Sequence, residues 1–289
     1  ELLHDHLRIL GPDHPDTLTT RNNLAYWQGQ AGNTTGAATA YTELLHDRLR
    51  ILGPDHPDTL TTRNNLAYWQ GQAGNTTGAA TAYTELLHDH LRILGPDHPD
   101  TLTTRNNLAY WQGQAGDLAG AVTAYTELLH DRLRILGPDH PDTLTTRNNL
   151  AYWQGEAGDL AGAVTAYAEL LHDQLRILGP DHPQTLITRN NLAGWQGEAG
   201  DATGAATAFA ELLHDRLRVL GPDHPQTLTT RNNLADWQGR AGDATGAAAA
   251  FAELLTDHLR ILGPDHPDVD LIRRNLAHWQ AQADEAQQP

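Results

Sequence analysis

The chain has 289 residues, with 36 acidic and 19 basic side chains, a formal charge of −17 with histidine neutral. Charge of that sign is repelled by phosphate backbones and anionic lipid, which excludes nucleic acid as the expected partner and favours a protein or peptide with a basic surface. Cys, Met, Lys and Ser are absent, which removes disulfides, thiolate metal sites, Schiff-base and Walker lysines and serine nucleophiles together. No apolar run approaches the roughly 20 residues that span a bilayer, so no membrane role and a cytoplasmic location are expected; without Met, the chain is expected to be an excerpt of a longer protein.

In chain order, the segment ELLHDHLRILGPDHPDTLTTRNNLAYWQGQAGNTTGAATAYT begins at Glu1 and returns from Glu43, Glu85, Glu127, Glu169, Glu211 and Glu253, six copies of 42 residues and a last one of 37. A single repeat array over 1–289 is expected rather than globular domains. Residues 1–10 read as a fragment of the second helix of a pair, helix B. The LGPDHPDT boundary then ends one helix and starts the next. In the second copy Gly53 suits the left-handed residue after a helix, Pro54 stops it, and Pro57 suits a first helical position. His56, before a proline, leaves helical geometry and becomes the expected N-cap, with Asp55 and Asp58 at the positive end of the helix dipole. Helix A is placed at about 15–31. Gly32 closes it, and Asn33, with Asn75, Asp117, Asp159, Asp201 and Asp243 after it, N-caps helix B at about 34–52. The pattern ends in a lone helix A at 267–283.

In helix B, Ala37, Ala38, Tyr41, Leu44, Leu45, Leu49 and Leu52 follow helical spacing. Leu24, Ala25, Trp27 and Ala31 make a weaker stripe on helix A. Nothing alternates with period two, so the fold class is all-α. One pair cannot bury its own apolar face, and the units must fold as a stack.

HPDTLTTRNNLA, the G-[ND] turn and A-x-x-x-Y-x-x-L-L together resemble the tetratricopeptide repeat, in its longer, 42-residue kinesin-light-chain-type variant with nearly identical units. Leu24, Ala25, Gly32, Ala37, Tyr41 and Leu44 fall at the family's packing positions. Gln28 stands where shorter repeats carry an aromatic residue, with Trp27 beside it. The resemblance implies an α-solenoid, a right-handed superhelix of antiparallel helix pairs, with helix A lining a concave groove that holds a protein or peptide.

Positions that vary while the scaffold stays constant are the candidates for recognition. One runs Tyr26, Tyr68, Tyr110, Tyr152, Gly194, Asp236 and His278. One turn earlier come Asn22, Asn64, Asn106, Asn148, Asn190 and Asn232, then Arg274; one turn later come Gln30, Gln72, Gln114, Glu156, Glu198, Arg240 and Gln282. Asparagine donates and accepts at once, and tyrosine offers rigid area with a polar tip, so Asn22 to Asn232, the tyrosines and Asp236 form the expected partner-binding stripe. Gly29 and its equivalents sit mid-helix at a cost of about 1 kcal/mol each, which suggests close approach by another backbone; close helix packing is the other explanation. Asn23 and its equivalents suit bonds between adjacent repeats, Trp27 and its equivalents suit core, and Arg21 and Arg50 with theirs suit ion pairs along the stack.

The 17 histidines suggest caps and surface positions rather than a metal site, since no HExxH-type spacing occurs. Protonating them would offset the net charge, so solubility is expected to fall near pH 5. Near-identical copies offer no single asymmetric constellation, so no enzyme and no cofactor are expected. The complementary half-repeats at the two ends suggest an alternative role, head-to-tail self-association. Asp270, Arg274 and the polar tail read as a cap against it, although Leu271 and Ile272 replace threonines. A further form of the binding role is the sensor arm of a larger signalling NTPase.

Overall fold

The computed structural model describes residues 1–286, and every element in them is an α-helix, with no strand. Contacts divide the chain into two compact units, Glu1–Thr146 and a second beginning at Arg147. The first holds α1 (Leu2–Ile9), α2 (Pro15–Gln30), α3 (Thr34–Leu52), α4 (Pro57–Gln72), α5 (Thr76–Ile93), α6 (Pro99–Gln114) and α7 (Leu118–Leu136). Helix α8 (Pro141–Glu156) contains the boundary; α9 (Leu160–Ile177), α10 (Pro183–Glu198), α11 (Ala202–Leu220), α12 (Pro225–Arg240), α13 (Ala244–Leu262) and α14 (Pro267–Ala286) follow. Even-numbered helices are the A helices and odd-numbered ones the B helices.

Local chemistry sets these boundaries. His14, His56 and His98 have extended backbone, and each Nδ1 accepts the N–H two residues on, at 3.1–3.2 Å. The histidine therefore caps a helix whose first residue is a proline with no N–H to satisfy. Gly32, at φ +91°, ends α2, and Asn33 Oδ1 accepts the Gly36 N–H at 2.9 Å to begin α3. A Cβ on Gly36 would press on the Asn33 side chain, which would have to shift for any larger residue there.

The members of a pair run antiparallel: Arg21 of α2 meets Asp47 of α3, whereas the later Asn22 meets the earlier Tyr41. Arg21 Nη1 lies 2.6 Å from Asp47 Oδ2 in a partly buried pair, and that bond holds the Asp47 carboxyl below its usual range. Arg50 grips Asp13 through two exposed bonds of 2.6 and 3.0 Å. Both arginine positions thus form the expected ion pairs.

Each core is closed by the pair that follows it. Leu18 and Ala25 of α2 pack with Ala37, Tyr41 and Leu44 of α3 and with Trp69 of α4. Leu60, Ala67, Ala79, Tyr83, Leu86 and Trp111 repeat this arrangement. So do Leu186, Ala193, Ala205, Phe209, Leu212 and Trp237 in the second unit. The tryptophan enters over a glycine. A Cβ on Gly155 would sit 2.6 Å from the Trp195 indole, and Gly29, Gly71, Gly197 and Gly239 meet Trp69, Trp111, Trp237 and Trp279 in the same way. What approaches the mid-helix glycines is therefore a side chain of the next pair and not a foreign backbone.

Candidate partner-binding face

Asn22, Tyr26 and Gln30 are spaced by four, so they share one face of α2, and their equivalents share that face of every A helix. The structure places the asparagines half-buried within a hydrogen-bonded path. In the first unit Asn107 Nδ2 donates to Asn64 Oδ1 (3.1 Å), Asn64 Nδ2 to Asn65 Oδ1 (3.2 Å), Asn65 Nδ2 to Asn22 Oδ1 (3.4 Å) and Asn22 Nδ2 to Asn23 Oδ1 (3.4 Å). Asn106 joins it through a 3.3 Å bond to Asn107. The second unit repeats the path from Asn275 through Asn232, Asn233, Asn190 and Asn191 to Asn148. Asn65, Asn107, Asn191, Asn233 and Asn275 therefore link adjacent pairs, as expected. An amide has two N–H groups and two lone pairs, so Asn64, with one of each engaged, keeps one of each.

The tyrosines stand edge-on between tryptophans. Tyr68 makes T-shaped contacts with its own Trp69 at 5.0 Å and with Trp111 of the next pair at 6.2 Å. Tyr26 and Tyr152 repeat this with Trp27 and Trp69, and with Trp153 and Trp195. Tyr110 contacts Trp111 in the same way. Tyr26 and Tyr68 remain exposed. One edge of the Tyr68 ring thus packs on the core indoles of Trp69 and Trp111 while the ring stays exposed.

Where the tyrosine is missing, the face opens. Around Gly194 of α10 lies a cavity of about 270 Å³ whose wall includes Tyr152, Asn190, Trp195, Glu198, Asp236 and Arg240. Three of the sequence-predicted residues meet there: Tyr152, Asn190 and Asp236. Arg240 is the local cation: it reaches Asp236 at 2.8 Å and Glu198 at 3.0 Å, with its guanidinium 4.5 Å over the Trp237 ring. Asp236 also accepts from Trp279 Nε1 at 3.3 Å. Two carboxylates share one guanidinium, so the rim keeps net negative charge. The remaining predicted residues are spread singly along the face, one asparagine and one tyrosine per helix in the first unit.

Sequence reasoning missed a second variable register, His6, Arg48, His90, Arg132, Gln174, Arg216 and His258 on the B helices. Its signal was present: it varies within a constant frame, just as the tyrosine position does. It falls among helix B residues that read as solvated charge, yet Arg48, His90, Arg132, Gln174, Arg216 and His258 are all buried. The expectation of histidines at caps and surfaces therefore fails at His90 and His258. Each lies under the next A helix and is 6% exposed.

The profile of the tetratricopeptide repeat family matches residues 17–58, 59–100, 101–142, 143–184, 185–226 and 227–268. No curated protein matches the chain. Among solved structures it is similar to a putative kinesin light chain from Podosopora anserina with nearly identical TPR-like repeats: 21% identity, TM-score 0.63, covering 71% of this chain and 97% of that one. It is also similar to BtubC (BKLC) from P. vanneervenii, at 20% identity and TM-score 0.61, covering 86% and 94%. A third is a signal transduction ATPase with a tetratricopeptide repeat sensor from Pyrococcus horikoshii, at 12% identity and TM-score 0.64, covering 93% of this chain and 39% of that one. At these identities the likeness is one of fold. Among the described residues no helix is long and apolar enough to cross a membrane.

Proposed function

The chain belongs to the tetratricopeptide repeat family, and from that premise we propose that it is an interaction scaffold whose A-helix face binds a protein or peptide with a basic surface. The observation that carries the reading is the Gly194 cavity. It lies on the predicted stripe where tyrosine gives way to glycine, between aromatic walls and under an acidic rim. Tyrosine and tryptophan supply rigid contact area, and carboxylates select for positive charge. In the first unit the exposed Tyr68 and the remaining amide valences of Asn64 offer contacts of the same kind.

The test is a peptide-display selection on the 289-residue chain, followed by affinities for Gly194→Tyr. A Cβ at Gly194 meets nothing within 4 Å, so the substitution refills the cavity without disturbing the helix. Binding of the selected peptides should fall at least about tenfold, a change of about 1.4 kcal/mol, with the helical CD spectrum unchanged. Tyr68→Ala with Tyr110→Ala should weaken peptides that bind the first unit. Peptides that bind Gly194→Tyr as well as they bind the parent would reject the face.

Exposed Trp27 and Leu24 favour the second reading, head-to-tail self-association. Ala281 opposes it. It stands in α14 where Gly239 stands in α12, so its Cβ lies where an incoming indole would have to go. Light scattering over a hundredfold concentration range should give a constant mass of 31.6 kDa; a mass that climbs would establish the second reading. The Pyrococcus horikoshii protein, with its repeat sensor, supports a variant of the first: the same face at work as the sensor arm of a longer signalling chain.

A further inference from the structure

The buried register of the B helices holds a guanidinium in three places. Arg48 Nη1 donates to the Asp58 carbonyl (2.8 Å) and to Thr62 Oγ1 (2.7 Å), and Arg132 does the same with Asp142 and Thr146. Arg216 donates to the Gln226 carbonyl (2.8 Å), Thr230 Oγ1 (2.5 Å), the Leu186 carbonyl (3.3 Å) and Asn190 Oδ1 (3.5 Å). At the same register, His90 ends at Thr104, with Nδ1 2.9 Å from Oγ1. Beyond the shorter side chain lies a cavity of about 380 Å³.

Its wall decides what it can hold. Leu60, Asn64, Asp100 and Thr104 all line it, and they are the counterparts, whole repeats away, of Leu186, Asn190, Gln226 and Thr230, the four partners of Arg216. The residues that surround a guanidinium elsewhere thus line a space that His90 does not fill, with Thr104 Oγ1 against His90 and Asn64 Oδ1 accepting from Asn107. Asp55 also lines the space but is held by Arg92 through bonds of 2.6 and 3.0 Å, so the added carboxylate is that of Asp100, which the Arg216 site lacks. Burial holds the His90 imidazole below its usual range, so at pH 7.5 it does not repel a cation. Thr61 and Thr103, on the rim, are exposed, which leaves an entrance from solvent.

We propose that the cavity between α4, α5 and α6 beside His90 is a binding site for a guanidinium group supplied from outside the chain, which takes the place that Arg48 and Arg132 fill from within. The site is separate from the Gly194 cavity and stands without it. A related cavity of about 370 Å³ beside His258 is lined by Leu228, Asn232, Asp268 and Ile272. There isoleucine replaces the threonine acceptor, and His258 Nδ1 turns to the Leu254 carbonyl at 2.9 Å. It serves as a built-in comparison with one acceptor fewer.

The test is an NMR titration of the whole chain, reading His90 and Thr104, with Nα-acetyl-arginine amide, low-millimolar guanidinium chloride and Nα-acetyl-lysine amide as separate probes. Saturable shifts are expected with the guanidinium probes, and binding of the lysine probe at least about tenfold weaker, because only the planar fork matches acceptors set for it. His90→Arg, which copies the occupant of Arg132, should fold and abolish the response, and Thr104→Val should weaken it. The response at His258 should be weaker than at His90. Tighter binding of the arginine derivative identifies the source as a protein side chain; tighter binding of the bare ion identifies a small guanidinium compound; either supports the site. No saturable shift, equal binding of the lysine probe, or a response that survives His90→Arg would overturn it.

Discussion

Trp27 and Trp111 occupy the same register, with the same residues on either side, yet Trp27 is 67% exposed and Trp111 3%. Trp111 lies over Gly71 of the preceding A helix. Before Trp27 the only described helix is α1, a B-type fragment that offers no such glycine. Burial here belongs to the interface between consecutive pairs, so identical segments are core in one place and surface in another.

The largest separation is expected between Trp111→Ala and Trp27→Ala. Truncating a buried tryptophan costs about 3–5 kcal/mol, whereas an exposed substitution stays within about 0.5 kcal/mol. Urea unfolding midpoints read the difference, and equal losses would break the comparison. Next comes Gly71→Ala, whose Cβ must displace the buried Trp111 ring, at about 1–3 kcal/mol. Gly194→Ala, facing open space, should instead stabilise by about 0.5–1 kcal/mol through helix propensity. Opposite signs for two glycine-to-alanine changes in A helices sharpen the point, and a stabilised Gly71→Ala would contradict it.

Smaller again is Asn107→Ala, which cuts the bond to Asn64 across pairs and should cost about 1 kcal/mol. Asn23→Ala, at the exposed start of the path, should cost less than half of that. Hydrogen exchange in α4 and α6 localises the effect. The last concerns pH. Burial lowers the folded pKa of His90, so its contribution is complete above an unfolded pKa of about 6.5 and is lost as pH falls through the folded value, by at most about 1.4 kcal/mol per pH unit. His90→Gln, which places there the residue found at buried Gln174, should flatten stability as pH falls below about 6.5. An unchanged slope would show that His90 titrates normally. Asp47, Asp89 and Asp131, held low by Arg21, Arg63 and Arg105, withdraw their contribution only below about pH 4.

Much of the fold was legible. The His-Pro cap, the positive-φ Gly32 and the Asn33 cap act within a few residues, so their chemistry can be read without knowing what lies beside them. Of the candidate site, the face was legible from the spacing of Asn22, Tyr26 and Gln30, because helical periodicity alone puts them together. The Gly194 cavity was only half visible: the glycine stood out, but its walls come from Trp195 and from Asp236 and Arg240 of the following A helix. The Arg48–His90 register was overlooked because a charged residue on a helix is ordinarily solvated, and only the next A helix buries it.

By itself the sequence determined the 42-residue period, the helix pairs and their ends, since these follow from hydrogen bonds and backbone preferences between near neighbours. Tertiary structure alone decided which constant residues are core. It put an indole against Gly29, joined Asn65 to Asn22, and made His90 the wall of a cavity. Each of those contacts is made with residues of a neighbouring pair, and a repeat read singly contains only half of every interface it makes.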